Sequence, residues 1–135
     1  MTALRYLIDT DTCIYLTKNK SERLLKQFQK LEPGEMGMSI ITYGELYYGA
    51  KKSVQAKEAL NRLERLTSLI SVCEMSSIVS EHYGEIRLDL EKKGKIIGSN
   101  DLWIAAHALA LKTTLVTNNE KEFRRVKNLT VENWL

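Results

Sequence analysis

The chain has 135 residues, of which 44% are hydrophobic and 27% charged, with seven glycines, one proline and a formal net charge of +3. These values exclude a disordered or fibrous protein and predict a single compact domain over residues 1–135. The most apolar segment, residues 102–111, is too short to cross a bilayer, and residues 1–9 lack the apolar core of a signal peptide. We therefore expect a cytoplasmic protein that does not contact a membrane.

The first half of the chain alternates between strand and helix patterns. An apolar run at residues 4–8 predicts a strand, and Thr10 or Asp11 can cap the helix that follows. Ser21 opens an amphipathic helix, which turn residues end at 32–34. The next predicted elements are a strand at residues 36–41 and helices at 42–51 and 57–69.

The second half continues this alternation. Residues 69–73 predict a short strand, and Ser76 or Ser77 opens a long helix that runs to Lys93. Ser99 is expected to cap an apolar helix over residues 102–111. The last predicted strands are residues 114–117 and 129–132. Strands separated by helices form parallel sheets, so the expected fold class is α/β: a central parallel sheet of four or five short strands with helices on both faces.

Polar residues follow the predicted strands at three places. Asp9 ends the first strand, and Glu45 lies early in the helix after the second. Thr117 ends the strand predicted at 114–117, and Asn118 and Asn119 follow it. Ligands of parallel sheets bind beyond the carboxyl ends of the strands, so these residues are candidates for one site. Asp101 joins them, because the start of its apolar helix should point to the same edge.

Each acid also has a purely structural interpretation. The helix dipole favours a carboxylate such as Asp101 in a first turn by about 0.3–1 kcal/mol. Asp11 can be a capping or first-turn residue, a role that we favour over metal contact. Glu45 could be a solvated helical residue. Asp9 is the hardest to explain in this way, because a carboxylate at the end of a buried strand needs a cation or hydrogen bonds.

Converging carboxylates indicate a hard divalent cation, Mg²⁺ or Mn²⁺, because these ions take oxygen ligands. Zinc is disfavoured, since His82 and His107 lie in mid-helix, and His107 is expected to be a hydrogen-bonded core residue. The sequence has no phosphate-binding glycine loop, nucleophile elbow or placeable Ser-His-Asp set. Metal-assisted hydrolysis is the remaining reaction class. Basic runs at residues 18–26, 92–95 and 121–127 could contact phosphates, although solvated helix faces explain any single run more simply.

Four motifs in order, LIDTDTCIY, ITYGELYYGA, GSNDLWIAAHAL and LVTNNEKEF, followed by VENW, resemble those of a known family. They are similar to the motifs of PIN-domain ribonuclease toxins, the VapC components of type II VapBC toxin–antitoxin modules. The resemblance extends over essentially the whole chain. It implies that Asp9, Glu45 and Asp101 are the acidic metal-binding and catalytic positions. Asn119 falls where many relatives have a fourth acid.

The resemblance also implies an activity and partners. The activity is a Mg²⁺- or Mn²⁺-dependent endoribonuclease that cuts a tRNA or other structured RNA, with metal-activated water as the nucleophile. Because residue 119 is an amide, Glu120 or water could substitute for the fourth acid. The residues expected near the metal and the phosphate are Thr10, Asp11, Thr117 and Asn118. The implied partners are a cognate VapB-type antitoxin, whose C-terminal segment covers the acidic pocket, and a second toxin chain.

Two alternatives remain open at this stage. The opening D-x-D-x-T also matches haloacid-dehalogenase-like phosphatases, in which Asp9 would be the nucleophile. The chain could instead be a non-catalytic module that binds RNA or a protein partner.

For the dimer, the candidate surface is one helix face, although aromatic residues at this spacing are also typical of a core. That face consists of Tyr43, Leu46, Tyr47 and Ala50.

Overall fold

The computed structural model describes residues 3–18 and 21–135. The strands are β1 (Tyr6–Ile8), β2 (Met36–Ser39), β3 (Ser71–Cys73), β4 (Thr114–Val116) and β5 (Val131–Glu132). The helices are α1 (Thr10–Thr17), α2 (Glu22–Gln29), α3 (Ile40–Lys52), α4 (Ala56–Leu69), α5 (Ser77–Lys92), α6 (Ser99–Leu111) and α7 (Glu120–Phe123). A short 3-10 turn, Pro33–Glu35, precedes β2.

The five strands form one sheet in the order β3-β2-β1-β4-β5, and all four pairings are parallel. This confirms the predicted α/β class and the sheet of four or five short strands. The chain leaves the central strand β1 toward β2 and β3 on one side and later adds β4 and β5 on the other. Such a reversal opens a crevice beyond the carboxyl ends of the neighbouring strands β1 and β4.

Two hydrophobic cores lie on opposite faces of the sheet, because successive side chains of a strand point to opposite sides. Leu7 of β1 and Leu115 of β4 belong to the first core, together with α5 and α6. Ile8 and Val116, the residues that follow them, belong to the second, with residues of α1, α2 and α4. Because both faces of the sheet are covered, all three residues of the central strand β1 are buried.

Three predicted caps or boundaries are wrong, two of them because of a side-chain hydrogen bond made at a strand exit. The strand predicted at 36–41 ends at Ser39, whose Oγ accepts a hydrogen bond from the Ile41 amide at 3.1 Å and so starts α3 at Ile40. Asp9, rather than Thr10 or Asp11, caps α1 by accepting from the Thr12 amide. Gly98, and not Ser99, is the N-cap of α6.

Other predictions differ in extent. Helix α6 begins three residues before the predicted 102, which places Asp101 inside its first turn. Helix α7 was not predicted, and β5 has two residues in place of the predicted four. Within residues 3–18 and 21–135, no helix is both long enough and apolar enough to span a membrane.

Candidate active site

A pocket of about 170 Å³ opens at the carboxyl edge of the sheet, beside the ends of β1 and β4. The polar residues that line it are Asp9, Thr10, Asp11, Glu45, Asp101 and Asn119. The structure therefore brings the three predicted acids together with three of the predicted polar neighbours. Thr117 lies behind Asp9, whereas Asn118 is exposed and does not line the pocket.

Asp9 is held by both of its carboxylate oxygens at the base of this pocket. One accepts a hydrogen bond from the Thr12 amide at 2.9 Å, and the other accepts from the Thr117 hydroxyl. The Thr117 hydroxyl in turn accepts from the Asn119 amide at 2.9 Å. These bonds join the exit of β1 to the exit of β4 and fix the orientation of the carboxylate.

Burial disfavours the charged form of Asp9, which is only 4% exposed. The loss of solvation raises the pKa of this carboxyl, and the hydrogen bonds from Thr117 and Thr12 offset part of the increase. Among the described residues, no Lys or Arg forms a salt bridge with Asp9. The negative charge at the base of the pocket is therefore stabilised by dipoles rather than by a cationic side chain.

Glu45 lies in the second turn of α3 and is oriented by α1. The Thr10 hydroxyl donates to Glu45 Oε1 at 2.6 Å, and a second hydrogen bond of 3.1 Å joins the hydroxyls of Thr10 and Thr42. Because the single proton of Thr10 goes to the carboxylate, Thr42 supplies the proton of the second bond. Thr10 thus has a defined role in positioning an acid at the pocket wall.

Asp101 lies in the first turn of α6, where burial and repulsion act together. Loss of solvation and then the charge of Glu122, followed by the other acids of the pocket, raise the pKa of Asp101 to about 6. A shift of this kind is typical of carboxylates gathered at a functional site. A divalent cation would remove the repulsion, and its charge would restore the ionised form.

Glu122 is a candidate site residue that the sequence does not predict. Its Oε2 accepts a hydrogen bond from the Asn119 side-chain amide at 3.1 Å, and its charge has the largest electrostatic effect on Asp101. Glu120, the substitute for the fourth acid that the sequence suggests, instead accepts hydrogen bonds from Arg124 at 2.8 Å and from Asn133 at 3.1 Å. The structure therefore favours Glu122 for that position. Its spacing of three residues from Asn119, one turn along a helix, was the available signal.

The donor set of this pocket fits Mg²⁺ or Mn²⁺ better than zinc. In the described part of the chain, no three His, Cys, Asp or Glu side chains are close enough to enclose a metal ion by themselves. Mg²⁺ does not need such a cage, since it keeps several waters and takes one or two carboxylates. Zinc sites use His and Cys, but both ring nitrogens of His107 are hydrogen-bonded elsewhere, and Cys13 is completely buried.

A larger groove of about 330 Å³ adjoins the acidic pocket at Glu45 and runs between α1, α3 and α4. Its walls are mainly apolar and include Ile14, Leu46, Leu63 and Leu66, with Lys18 and Arg62 at its sides. The groove could receive an extended or helical segment that also reaches Glu45.

Comparisons with known proteins agree over nearly the full length of the chain. Residues 6–129 match the PIN domain. Ribonuclease VapC2 of Rickettsia felis is 39% identical over 130 residues, 96% of this chain and 97% of the relative. The tRNA(fMet)-specific endonuclease VapC of Salmonella typhimurium is 37% identical over 131 residues, 97% and 98% of the two chains. The structure of VapBC2 from R. felis bound to a DNA fragment from its promoter matches with a TM-score of 0.91 and 38% identity, covering 98% of this chain and 100% of the other.

Proposed function

The chain belongs to the PIN-domain family and, within it, to the VapC ribonucleases, and we propose that it is a single-domain, metal-dependent endoribonuclease acting as the toxin of a VapBC-type module. The observation that carries this proposal is the convergence of Asp9, Glu45 and Asp101 in one pocket at the sheet edge. The D-x-D-x-T phosphatase alternative finds no support in these relatives.

Each pocket residue has a separate part in the proposed mechanism. The chemistry that Mg²⁺ or Mn²⁺ supplies in such a pocket is activation of water and neutralisation of charge on the phosphate. Asp9 and Asp101 would hold the cation, and Glu122 adds negative charge at the edge of the site. Glu45, held by Thr10, lies where it can orient the attacking water or accept its proton. No side-chain nucleophile is needed.

We propose a tRNA as the substrate, because the Salmonella relative is named a tRNA(fMet)-specific endonuclease. Nucleases of this kind need an accessible phosphodiester, and single-stranded loops of structured RNA offer one. Lys18 is exposed and lines a neighbouring cavity that shares Asp11 with the acidic pocket, so it is placed to contact the RNA backbone.

We also propose that a VapB-type antitoxin fills the groove beside Glu45, since the matched Rickettsia structure is a VapBC complex. The groove is apolar, as a docked antitoxin segment requires, and its end at Glu45 would let a basic side chain pair with the acids. A filled groove would exclude RNA from the pocket.

A homodimer is a further part of the proposal, but the candidate surface is smaller than the sequence predicts. Ala50 is buried, and Tyr43 and Leu46 pack against the second core. Tyr47 and Tyr48 are 44% and 65% exposed, so they are the aromatic residues of α3 that are available to a second copy.

The test is incubation of the purified protein with total tRNA in Mg²⁺, Mn²⁺ or chelator, followed by mapping of the cut ends. We expect discrete fragments with 5′-phosphates that depend on the metal. Asp9→Asn keeps the capping oxygen but removes the charge, so it should lower the cleavage rate by at least about 100-fold, the upper end of the effect of losing a residue that only orients a metal ligand.

The matched control is Asp89→Asn on α5, which removes a surface carboxylate paired with Lys93. Cleavage should be unchanged in that variant. Binding of tRNA without cleavage in either metal would favour the non-catalytic alternative, and an Asp9→Asn protein with the wild-type rate would contradict the assignment of the site.

A further inference from the structure

His107 is completely buried in α6 and uses both of its ring nitrogens. Its Nδ1 lies 2.8 Å from the Ser39 hydroxyl, at the exit of β2. Its Nε2 lies 3.1 Å from the Glu74 carbonyl oxygen, just after β3. The imidazole therefore joins α6 to the carboxyl ends of two neighbouring strands, outside the acidic pocket.

The hydrogen-bond partners of His107 determine which ring nitrogen carries the hydrogen. A carbonyl oxygen only accepts, so Nε2 carries the hydrogen and donates it to Glu74. Burial lowers the pKa of His107, although the bond to Glu74 offsets part of the decrease, and the neutral ring is favoured. Nδ1 of a neutral ring with Nε2–H is an acceptor, so the Ser39 hydroxyl donates to it. Ser39 Oγ can then accept from the Ile41 amide, as the 3.1 Å distance indicates.

Ser39 and His107, the two central members of this hydrogen-bonded chain, are connected to the helices that carry the site. Ser39 is the N-cap of α3, and Glu45 lies six residues after it in that helix. His107 lies six residues after Asp101 in α6. With its acceptor at Nδ1, the ring orients the Ser39 hydroxyl for capping and holds the start of α3 against α6.

From this geometry we propose that His107 is a positioning residue of the active site: acting through Ser39, it sets the placement of Glu45 relative to Asp101. The inference rests on the proposed function of the acidic pocket. His107 does not line that pocket, so its effect must pass through the helices.

Two conservative variants separate the two bonds of the ring. In His107→Asn the side-chain oxygen can take the place of Nδ1 and accept from Ser39, while the bond to Glu74 is lost. In His107→Gln the side-chain amide can reach the Glu74 carbonyl, while Ser39 loses its acceptor. If Ser39 is the route, the Asn variant should keep most of the activity and the Gln variant should not.

We expect His107→Gln to lower kcat and weaken Mn²⁺ binding by about 10- to 100-fold, the effect of losing a residue that orients a metal ligand, with KM for tRNA unchanged. Ser39→Ala should reproduce this loss, and the double variant should be no worse than either single one, because both remove the same interaction. The amide of Ile41 should exchange its hydrogen faster in both single variants.

A core truncation far from this network, Leu24→Ala in α2, is the control for stability alone. It should lower the free energy of unfolding while leaving kcat, Mn²⁺ affinity and the exchange of the Ile41 amide unchanged. If Leu24→Ala and His107→Gln lower the free energy of unfolding equally and also lower kcat equally, the inference is overturned. Equal kcat in His107→Asn and His107→Gln would also overturn it, as would an Nδ1–H tautomer in the ¹⁵N NMR spectrum of the wild type.

Mn²⁺ affinity, the tautomer and amide exchange are all measured without RNA. If the wild type cuts no RNA but has the Nε2–H tautomer, and the variants bind Mn²⁺ more weakly and exchange the Ile41 amide faster, the proposed function is contradicted and the role of His107 is supported. Unchanged Mn²⁺ affinity and Ile41 exchange in His107→Gln and Ser39→Ala, in a protein that does cut RNA, would overturn the role of His107 alone.

Discussion

At the pocket, burial and like charge act on one side chain, Asp101, and both destabilise its ionised form. Its pKa is about 6 in the folded protein, against an ordinary value of 3.8. The group thus binds its proton more tightly when folded, so its contribution to stability is present below pH 3.8 and is lost as the pH rises through 6. Above pH 6, ionisation of this carboxylate lowers the free energy of unfolding of the metal-free native state.

We therefore expect Asp101→Asn to raise the free energy of unfolding by about 1–3 kcal/mol at pH 7.5 in chelator. The gain should be smaller at pH 5, and Mg²⁺ should stabilise the wild type more than the variant. Urea denaturation at the two pH values measures both effects. Asp89→Asn, which removes a partner of Lys93, should be neutral or slightly destabilising. A gain for Asp101→Asn that does not change with pH would contradict the electrostatic explanation.

Glu122 and Glu120 provide a matched pair within one short helix. Glu122→Gln should weaken Mn²⁺ binding and lower the cleavage rate by about 10-fold, because it removes a charge that acts directly on Asp101. Glu120→Gln removes a charge already paired with Arg124 and should change neither quantity by more than about twofold. Titration calorimetry measures the Mn²⁺ affinity, and the tRNA assay measures the cleavage rate. Equal losses in both variants would show that only the net charge of the region matters.

These two residues also show why the site was only partly predictable from the sequence. Asp9, Glu45 and Asp101 each follow a recognisable strand or begin a recognisable helix, so their convergence could be expected. The sequence pattern does not distinguish between Glu120 and Glu122, the two glutamates near Asn119, for the role of the fourth acid. The choice between them depends on the direction of α7, which is set by distant contacts such as that between Glu120 and Asn133.

Among the elements, the helices were easier to predict than their ends. Apolar residues repeat along α2, α4 and α5 with helical spacing, and α6 is apolar over most of its length, so their existence could be expected. The predicted start of α3 is two residues late, because residues 36–41 are apolar enough for a longer strand. The Ser39 cap decides the boundary, and its orientation depends on His107, 68 residues away.

The end of α6 has a backbone conformation that can be tested. Lys112 follows the helix with φ 56° and ψ 42°, in the left-handed region that glycine adopts without a steric penalty. Lys112→Gly should stabilise the protein by about 0.5–1 kcal/mol in thermal or urea unfolding. Lys93→Gly, at the end of α5 with φ −87°, should destabilise it instead. Stabilisation by both changes would indicate a charge effect rather than a backbone effect.

For the molecule as a whole, the exposed tyrosines of α3 predict how it assembles. If they form the dimer surface, the wild type should have a mass in solution of twice 15.5 kDa, and Tyr48→Glu should give the monomer mass by light scattering, since it would bury a charge in an apolar contact. Leu88→Glu, on the exposed side of α5, should leave the dimer intact. A wild-type monomer, or a dimer that survives Tyr48→Glu, would contradict this surface.

The pairing of β1 with β4 determines when an active site can exist during synthesis. Asp9 is made among the first residues, yet the hydroxyl that holds it belongs to Thr117, 108 positions later. A ribosome-bound chain that stops before β4 lacks one of the two strands that pair with β1 and also lacks the second support of Asp9. Incomplete translation products would therefore lack nuclease activity. The activity would arise in the cell only after nearly all of the chain had left the ribosome.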